Sequence, residues 1–209
     1  MIPTPEQITA WLERAVSWSQ LSSFAWNKDD WYSKYVLGIE QPLSPELIFG
    51  KKFADSCEAG TPLASVTLLS KQEQPLEAVL DGIKLFGYAD TIKEETMDET
   101  GEFKTGAKPW DQARVDTHGQ ITMYALMNFL QNKVLPQNAK FWLEWVPTKK
   151  VHRDNGDFSG YDYDIEFASD PPTVQHFDTK RTMKDILAFA SYIKATRKEM
   201  EEFIHSKTV

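Results

Sequence analysis

Phe86 to Gln120 reads FGYADTIKEETMDETGEFKTGAKPWDQARVDTHGQ. Asp90 stands at the end of an apolar run, and the tripeptide Glu102-Phe103-Lys104 follows 12 residues later. Alternate residues of a strand face the same way, so Glu102 and Lys104 share a face and Phe103 points into the opposite layer. If Ile83 to Ile92 is a strand and Lys93 to Thr96 turn the chain, the returning strand lays Glu102 beside Asp90. Two adjacent carboxylates repel and raise each other's pKa unless a cation sits between them. A hard divalent ion such as Mg²⁺ meets that need, since one or two carboxylates hold it while water and substrate phosphate complete its shell. Taken alone the tripeptide is a common one, and the same charges on a polar hairpin could simply be solvated.

The surrounding order narrows the choice. Gly87-Tyr88-Ala89-Asp90, then Glu102-Phe103-Lys104-Thr105-Gly106, then Gln120 and Tyr124 as Q-x-x-x-Y, resembles the PD-(D/E)XK nucleases of the RecB-type exonuclease branch. The opening Ser17-Trp18-Ser19-Gln20-Leu21-Ser22-Ser23-Phe24, with Trp31-Tyr32-Ser33-Lys34-Tyr35 after it, is similar to the first helix of that branch. The resemblance implies a restriction-endonuclease-like α/β core, a central mixed sheet with an antiparallel meander flanked by helices. It implies metal ligation by Asp90, Glu102 and the Phe103 carbonyl, a catalytic Lys104, and Gln120 and Tyr124 lining the far side of the site from one helical face.

Two departures from the pattern stand out. Many RecB-type members carry a histidine in the helix before the hairpin, where this chain has Ala54; Glu58, one turn later, is the candidate for the additional metal ligand, as a helix glutamate is in lambda-type exonucleases. Iron–sulfur relatives place Cys-Pro after the opening helix, where this chain has Asn27-Lys28. A cluster needs about four thiolates, and Cys57 is the one cysteine of the sequence. The expected cofactor is therefore Mg²⁺ or Mn²⁺ without an iron–sulfur cluster.

At 209 residues and 41% hydrophobic content the chain has the size of one domain, with residues 1–60 as a helical N-terminal part and 76–193 as the core. One cysteine fits a reducing compartment, and no apolar run approaches the roughly 20 residues of a membrane span. A soluble cytoplasmic protein is expected. The net charge of −8 is unfavourable for a nucleic-acid partner. However, many carboxylates lie in the hairpin and the last helix, whereas basic residues gather elsewhere. Lys108, Arg114, Lys149, Lys150 and Arg153, with Trp110, are the candidates for contact with DNA, and Lys180, Arg181 and Lys184 form a further basic cluster. Solvated surface is the competing reading of each cluster, and Trp110 either packs down or touches the nucleic-acid end.

Local signals place the elements. Thr4-Pro5 with Gln7 opens a first helix whose apolar side is Trp11, Leu12 and Ala15. Ser17 opens a second, and four of the seven tryptophans fall in the first 31 residues, which suggests a packed segment. Ser44-Pro45 opens a third, with Leu47, Ile48 and Phe53 as its buried side and Gly60 as its end. Leu76–Leu80, Asp81-Gly82 and Ile83–Ile92 read as strand, turn and strand. Asp111–Asn132 reads as one helix, Phe141–Val146 and Tyr161–Phe167 as a pair of strands around an Asn155-Gly156 turn, and Thr182 with Asp185 as the start of a last helix that becomes solvent-exposed beyond Lys194. The P-loop glycine before lysine, zinc-site histidine spacing and the G-x-S-x-G elbow are absent. The leading expectation is a nuclease acting on DNA ends, in recombination, repair or phage DNA processing, with an encircling homo-oligomer or a recombination-protein partner compatible with it. A catalytically silent binding module and a structure-specific endonuclease are the alternatives.

Overall fold

The computed structural model describes residues 2–40, 42–153 and 161–208, so the Asn155-Gly156 turn lies outside the described residues. Helices begin where capping side chains stand. Thr4 and Gln7 close a capping box on α1 (Pro5–Glu13), and Ser17 accepts from the Gln20 N–H on α2 (Trp18–Trp26). Asn27 ends α2 and caps α3 (Lys28–Tyr35) by accepting from Asp29 and Asp30, so one residue both breaks and restarts the helix. Trp11 and Trp31 are buried edge to face at 5.6 Å, but Trp26 is 90% exposed and Leu12 also faces out. The tryptophan-rich segment is thus packed on one side only.

Ser44 caps α4 (Pro45–Glu58), and Gly60 at φ 71° follows its end. Of its expected buried side only Phe53 is covered; Leu47 and Ile48 are 60% and 53% exposed, because the first half of the helix turns Phe49 inward instead, onto Phe167 at 5.1 Å. The meander follows: β1 (Lys71–Leu80), β2 (Ile83–Ile92) and β3 (Glu99–Gly106). Asp81 and Gly82 both take positive φ, the conformation of a tight type I′ hairpin turn. A connection through α5 (Gln112–Asp116) and α6 (Gly119–Asn132) returns the chain to β4 (Lys140–His152), which lies parallel to β3. β5 (Tyr163–Phe167) and β6 (Gln175–Thr179) both pair antiparallel with β4, and α7 (Met183–Ser206) closes the fold. The described residues therefore form an α/β fold with a six-stranded mixed sheet flanked by helices.

The sheet separates two apolar clusters. The larger joins the N-terminal helices, α6 and α7 to β1, β2 and β4; the smaller joins Phe53, Cys57, Ala64, Phe103 and Val146. The capping box of Thr182 and Asp185 starts α7 as its sequence indicates. Its second half is not a solvated tail, since Met200 and Ile204 are buried and Phe203 packs on Phe24, Trp31 and Tyr32. The helix expected over Asp111–Asn132 is two helices parted at Thr117-His118, where the buried guanidinium of Arg181 draws in the Val115 and His118 carbonyls. Arg181 accordingly belongs to the interior and not to a basic surface.

Gly101 of β3 stands opposite Thr91 of β2 on one side and Trp142 of β4 on the other. A methyl group there would stand 2.6 Å from the Trp142 indole and 2.8 Å from Thr91 Cγ2, inside any tolerable contact. Gly101→Ala is therefore expected to lower unfolding free energy by about 1–3 kcal/mol through overpacking. Gly50→Ala on α4, with only Thr105 Oγ1 at 3.6 Å, should instead raise it by roughly 0.5–1 kcal/mol. Urea denaturation of the two variants checks the contrast; a Gly101→Ala protein as stable as the parent would contradict it.

Candidate active site

β2 and β3 pair only through Thr91 with Gly101 and Ile92 with Thr100, then separate. Beyond that point the Phe103 N–H donates not to a strand carbonyl but to Asp90 Oδ2, at 2.5 Å. Alternation does the rest. The Phe103 ring packs against Phe53 at 6.3 Å, while Glu102 and Lys104 turn to the opposite layer and meet α6. Lys104 Nζ bonds Glu102 Oε1 and donates to Gln120 Oε1 at 2.9 Å. Gln120 Nε2 donates to the Tyr124 hydroxyl at 2.6 Å, and that hydroxyl lies 2.8 Å from Glu102 Oε2 and also meets the Tyr88 carbonyl. A phenol has one proton, so Tyr124 serves Glu102 or Tyr88 at any moment while accepting from Gln120. The spacing of four between Gln120 and Tyr124 aligns both on one helical face.

Glu102 is 1% exposed and Asp90 half-buried. Burial and then the neighbouring Glu102 charge push the Asp90 carboxyl well above the usual range. Burial pulls the Lys104 ammonium down, but Glu102 and Asp90 together outweigh it and leave the pKa raised. The Tyr124 phenol is raised by burial and by the same two carboxylates. Two carboxylates and one firmly protonated ammonium thus share a small volume. The paired oxygens suit a hard divalent ion of the Mg²⁺ type, which asks for one or two carboxylates.

Other expected ligands fare differently. Among the described residues no group of three His, Cys, Asp or Glu side chains is arranged to hold a metal ion, and Glu58 is exposed at the last residue of α4, outside the cleft lining. The helix presents Gly50, Lys51 and Ala54 to the cleft instead. A carboxylate that the sequence reading missed is Glu73. Gln72 pairs with Thr91 and Gln74 with Ala89, leaving Glu73 opposite Asp90 with φ at 47°; burial, and then the charges of Glu58 and Glu102, raise its carboxyl. Its position in a stretch without alternation gave no signal.

Two clefts meet at Asp90, Lys104 and Gln120. One, about 440 Å³, opens between α4 and β3; the other, about 550 Å³, opens toward Ser17, Trp18 and Tyr88. A larger cavity of about 730 Å³ lies elsewhere, over Trp142 and His176. Of the basic candidates, Lys108 is exposed on the loop after β3. Trp110 is only 9% exposed and lies under the Arg114 guanidinium at 3.6 Å, so it packs down and has no free face for a base. Lys149 pairs with Glu166 at 4.0 Å, Lys150 with Glu46 at 3.2 Å, and Arg153 with Asp164. The two lysine pairs are exposed and worth at most about 1 kcal/mol each, whereas Arg153 is half-buried and bonds Asp164 through two nitrogens. No helix among the described residues is long and apolar enough to cross a membrane.

No known family model matches the sequence, and no curated protein matches it. The fold is similar to the crystal structure of a protein from Eubacterium rectale described as a "Putative exonuclease", with a TM-score of 0.57 and 12% identity over 99% of this chain and 88% of that chain. At that identity the likeness is one of fold.

His118, which begins α6, lies between Trp18 at 5.7 Å and Trp110 at 4.9 Å. Burial, helped by Lys104, Arg181 and Arg114, lowers its pKa from 6.5 to about 3. The unfolded chain takes up a proton below about pH 6.5 and the folded chain does not until about pH 3, so stability falls on acidification through that window. Thermal melts from pH 7 to pH 4 should show a shallower loss for His118→Phe than for the parent. Equal slopes would remove His118 as the cause.

Proposed function

We propose that this chain is a divalent-metal-dependent deoxyribonuclease of the PD-(D/E)XK type that hydrolyses phosphodiester bonds at DNA ends. The observation that carries the reading is the convergence of Asp90, Glu102 and Lys104 on one cleft, with Asp90 fixed by the Phe103 N–H at 2.5 Å. The neighbour described as an exonuclease supports the class at the level of fold, and the order of motifs along the chain supports the branch.

Asp90 and Glu102, with the Phe103 carbonyl, would hold Mg²⁺ or Mn²⁺; when bound, such an ion polarises the phosphate and makes water a stronger nucleophile. The chain's own residues supply the rest. Lys104, kept protonated by its two acidic neighbours, has three N–H donors and no lone pair. It therefore holds an oxygen, either of the attacking water or of the phosphate as negative charge gathers there, and does not remove a proton. Gln120 fixes the ammonium and Tyr124 fixes Glu102, so both charged groups meet the substrate already oriented. DNA is the partner this chemistry implies, with binding that weakens steeply as salt is raised.

The test is degradation of linear and covalently closed DNA, single and double stranded, with Mg²⁺ or Mn²⁺. Linear DNA should be lost in a metal-dependent way and closed circles spared, and Lys104→Ala and Asp90→Ala should each reduce the rate by about 10²-fold or more. Cutting of closed circles would reassign the activity to an endonuclease. Folded protein inactive on every substrate with either metal would refute the reading.

A further inference from the structure

Arg181 follows β6 and is among the most completely buried large side chains of the chain. All five of its N–H groups are used. Nε donates to Thr122 Oγ1 at 2.7 Å; Nη1 to Thr179 Oγ1 at 2.7 Å and to the Lys180 carbonyl at 2.8 Å; Nη2 to the carbonyls of Val115 at 3.1 Å and His118 at 3.2 Å. Every acceptor is neutral. The nearest opposite charges, Asp185 and Asp116, act through space, and burial lowers the guanidinium's pKa.

The site is a costly one for a cation. A buried charge without a bonded counter-ion is strongly disfavoured, and the N-terminal end of α6 carries the positive pole of its dipole. A helix running on from α5 would need no such group. What the guanidinium does is hold the break: it takes the Val115 carbonyl near the end of α5, the carbonyl of His118 that caps α6, and the hydroxyl of Thr122 in its first turn. Thr122 also donates to the His118 carbonyl at 3.2 Å, which closes the turn on itself. Gln120 and Tyr124 flank Thr122 by two residues on either side, and they are the groups that bond Lys104 and Glu102.

We infer that Arg181 is a positioning residue: by clamping the break between α5 and α6 it sets where Gln120 and Tyr124 stand, and so the orientation of Lys104 and Glu102. The catalytic consequence rests on the nuclease reading; the positional one does not. Thr179 links the clamp outward, since its hydroxyl also donates to Asp116 Oδ1 at 2.8 Å.

Arg181→Lys keeps a charge and loses the fork. Hydrogen exchange of the amides from 119 to 124, read by mass spectrometry on intact folded protein, should quicken about tenfold or more, the loss expected for a charge-assisted hydrogen bond. The kcat on linear DNA should fall about tenfold or more with KM within roughly twofold, the pattern of a displaced catalytic group. Arg197→Lys is the control: Arg197 is also buried, on α7, and bonds Glu201 and the Leu12 carbonyl, away from the site. It should lower the melting temperature without moving either readout. Thr122→Val, which removes a single acceptor of Arg181, should shift both in the same direction by less, and it decides the matter if Arg181→Lys does not fold. Unchanged exchange at 119–124, or an equal kcat loss in Arg197→Lys, would overturn the inference. Parent protein inactive on all DNA would defeat the nuclease reading alone, with exchange still deciding the role of Arg181.

Discussion

A single hydrogen bond, from the Phe103 N–H to the carboxylate of Asp90, stands where a strand-to-strand bond would otherwise be. β3 is held along its other edge by β4 from Glu99 to Gly106, so it can release β2 after Gly101 without losing its place in the sheet. The parting of β2 and β3 exposes a backbone donor, and Asp90 is the acceptor that the sequence provides for it. Had the ladder continued, Asp90 would have no donor to fix it and the two clefts would not meet. Gly101 makes the parting abrupt, because only a residue without a side chain lets Trp142 and Thr91 approach so closely at the fork.

Crowding two carboxylates into one partly dry place raises the free energy of their charged forms, and the surroundings offset this without neutralising it. Lys104 supplies one positive charge, while Gln120 and Tyr124 supply a neutral chain of hydrogen bonds that fixes Glu102 on its far side. These bonds hold both carboxylates and the ammonium in fixed places. Cys57, by contrast, is buried on the inner face of α4 with its thiol pushed up to about 11, largely by burial, and has the character of an apolar core group. The chemistry of the cleft is that of oxygen and ammonium.

Much of this could be read from local signals. Capping residues marked the starts of α1, α2, α4 and α7, and Asp81-Gly82 marked the hairpin, because each depends on neighbours a few residues away. The alternation of Glu102, Phe103 and Lys104 set their faces for the same reason. What escaped depends on partners far along the chain. The helix from Asp111 to Asn132 is broken by a guanidinium more than 60 residues downstream, and no pattern within the segment reveals that. Leu47 and Ile48 are placed as a buried helix face would be, yet α4 meets β5 through Phe49 and Phe167 and leaves them outside. Trp110, Lys149 and Lys150 of β4, and Arg153 just beyond it, are settled by Arg114, Glu166, Glu46 and Asp164 across loops and strands. Glu73 was hidden because a strand that starts without alternation looks like a loop.

The account stands or falls on whether Asp90 and Glu102 act together on one cation. Calorimetric titration of the DNA-free protein with Mn²⁺ measures this directly, beside Asp90→Asn, whose amide oxygen can still accept from the Phe103 N–H and so preserve the local fold. The account predicts saturable binding of one ion per chain in the parent and its loss in Asp90→Asn. Equal binding by the two proteins, or none by the folded parent, would contradict it.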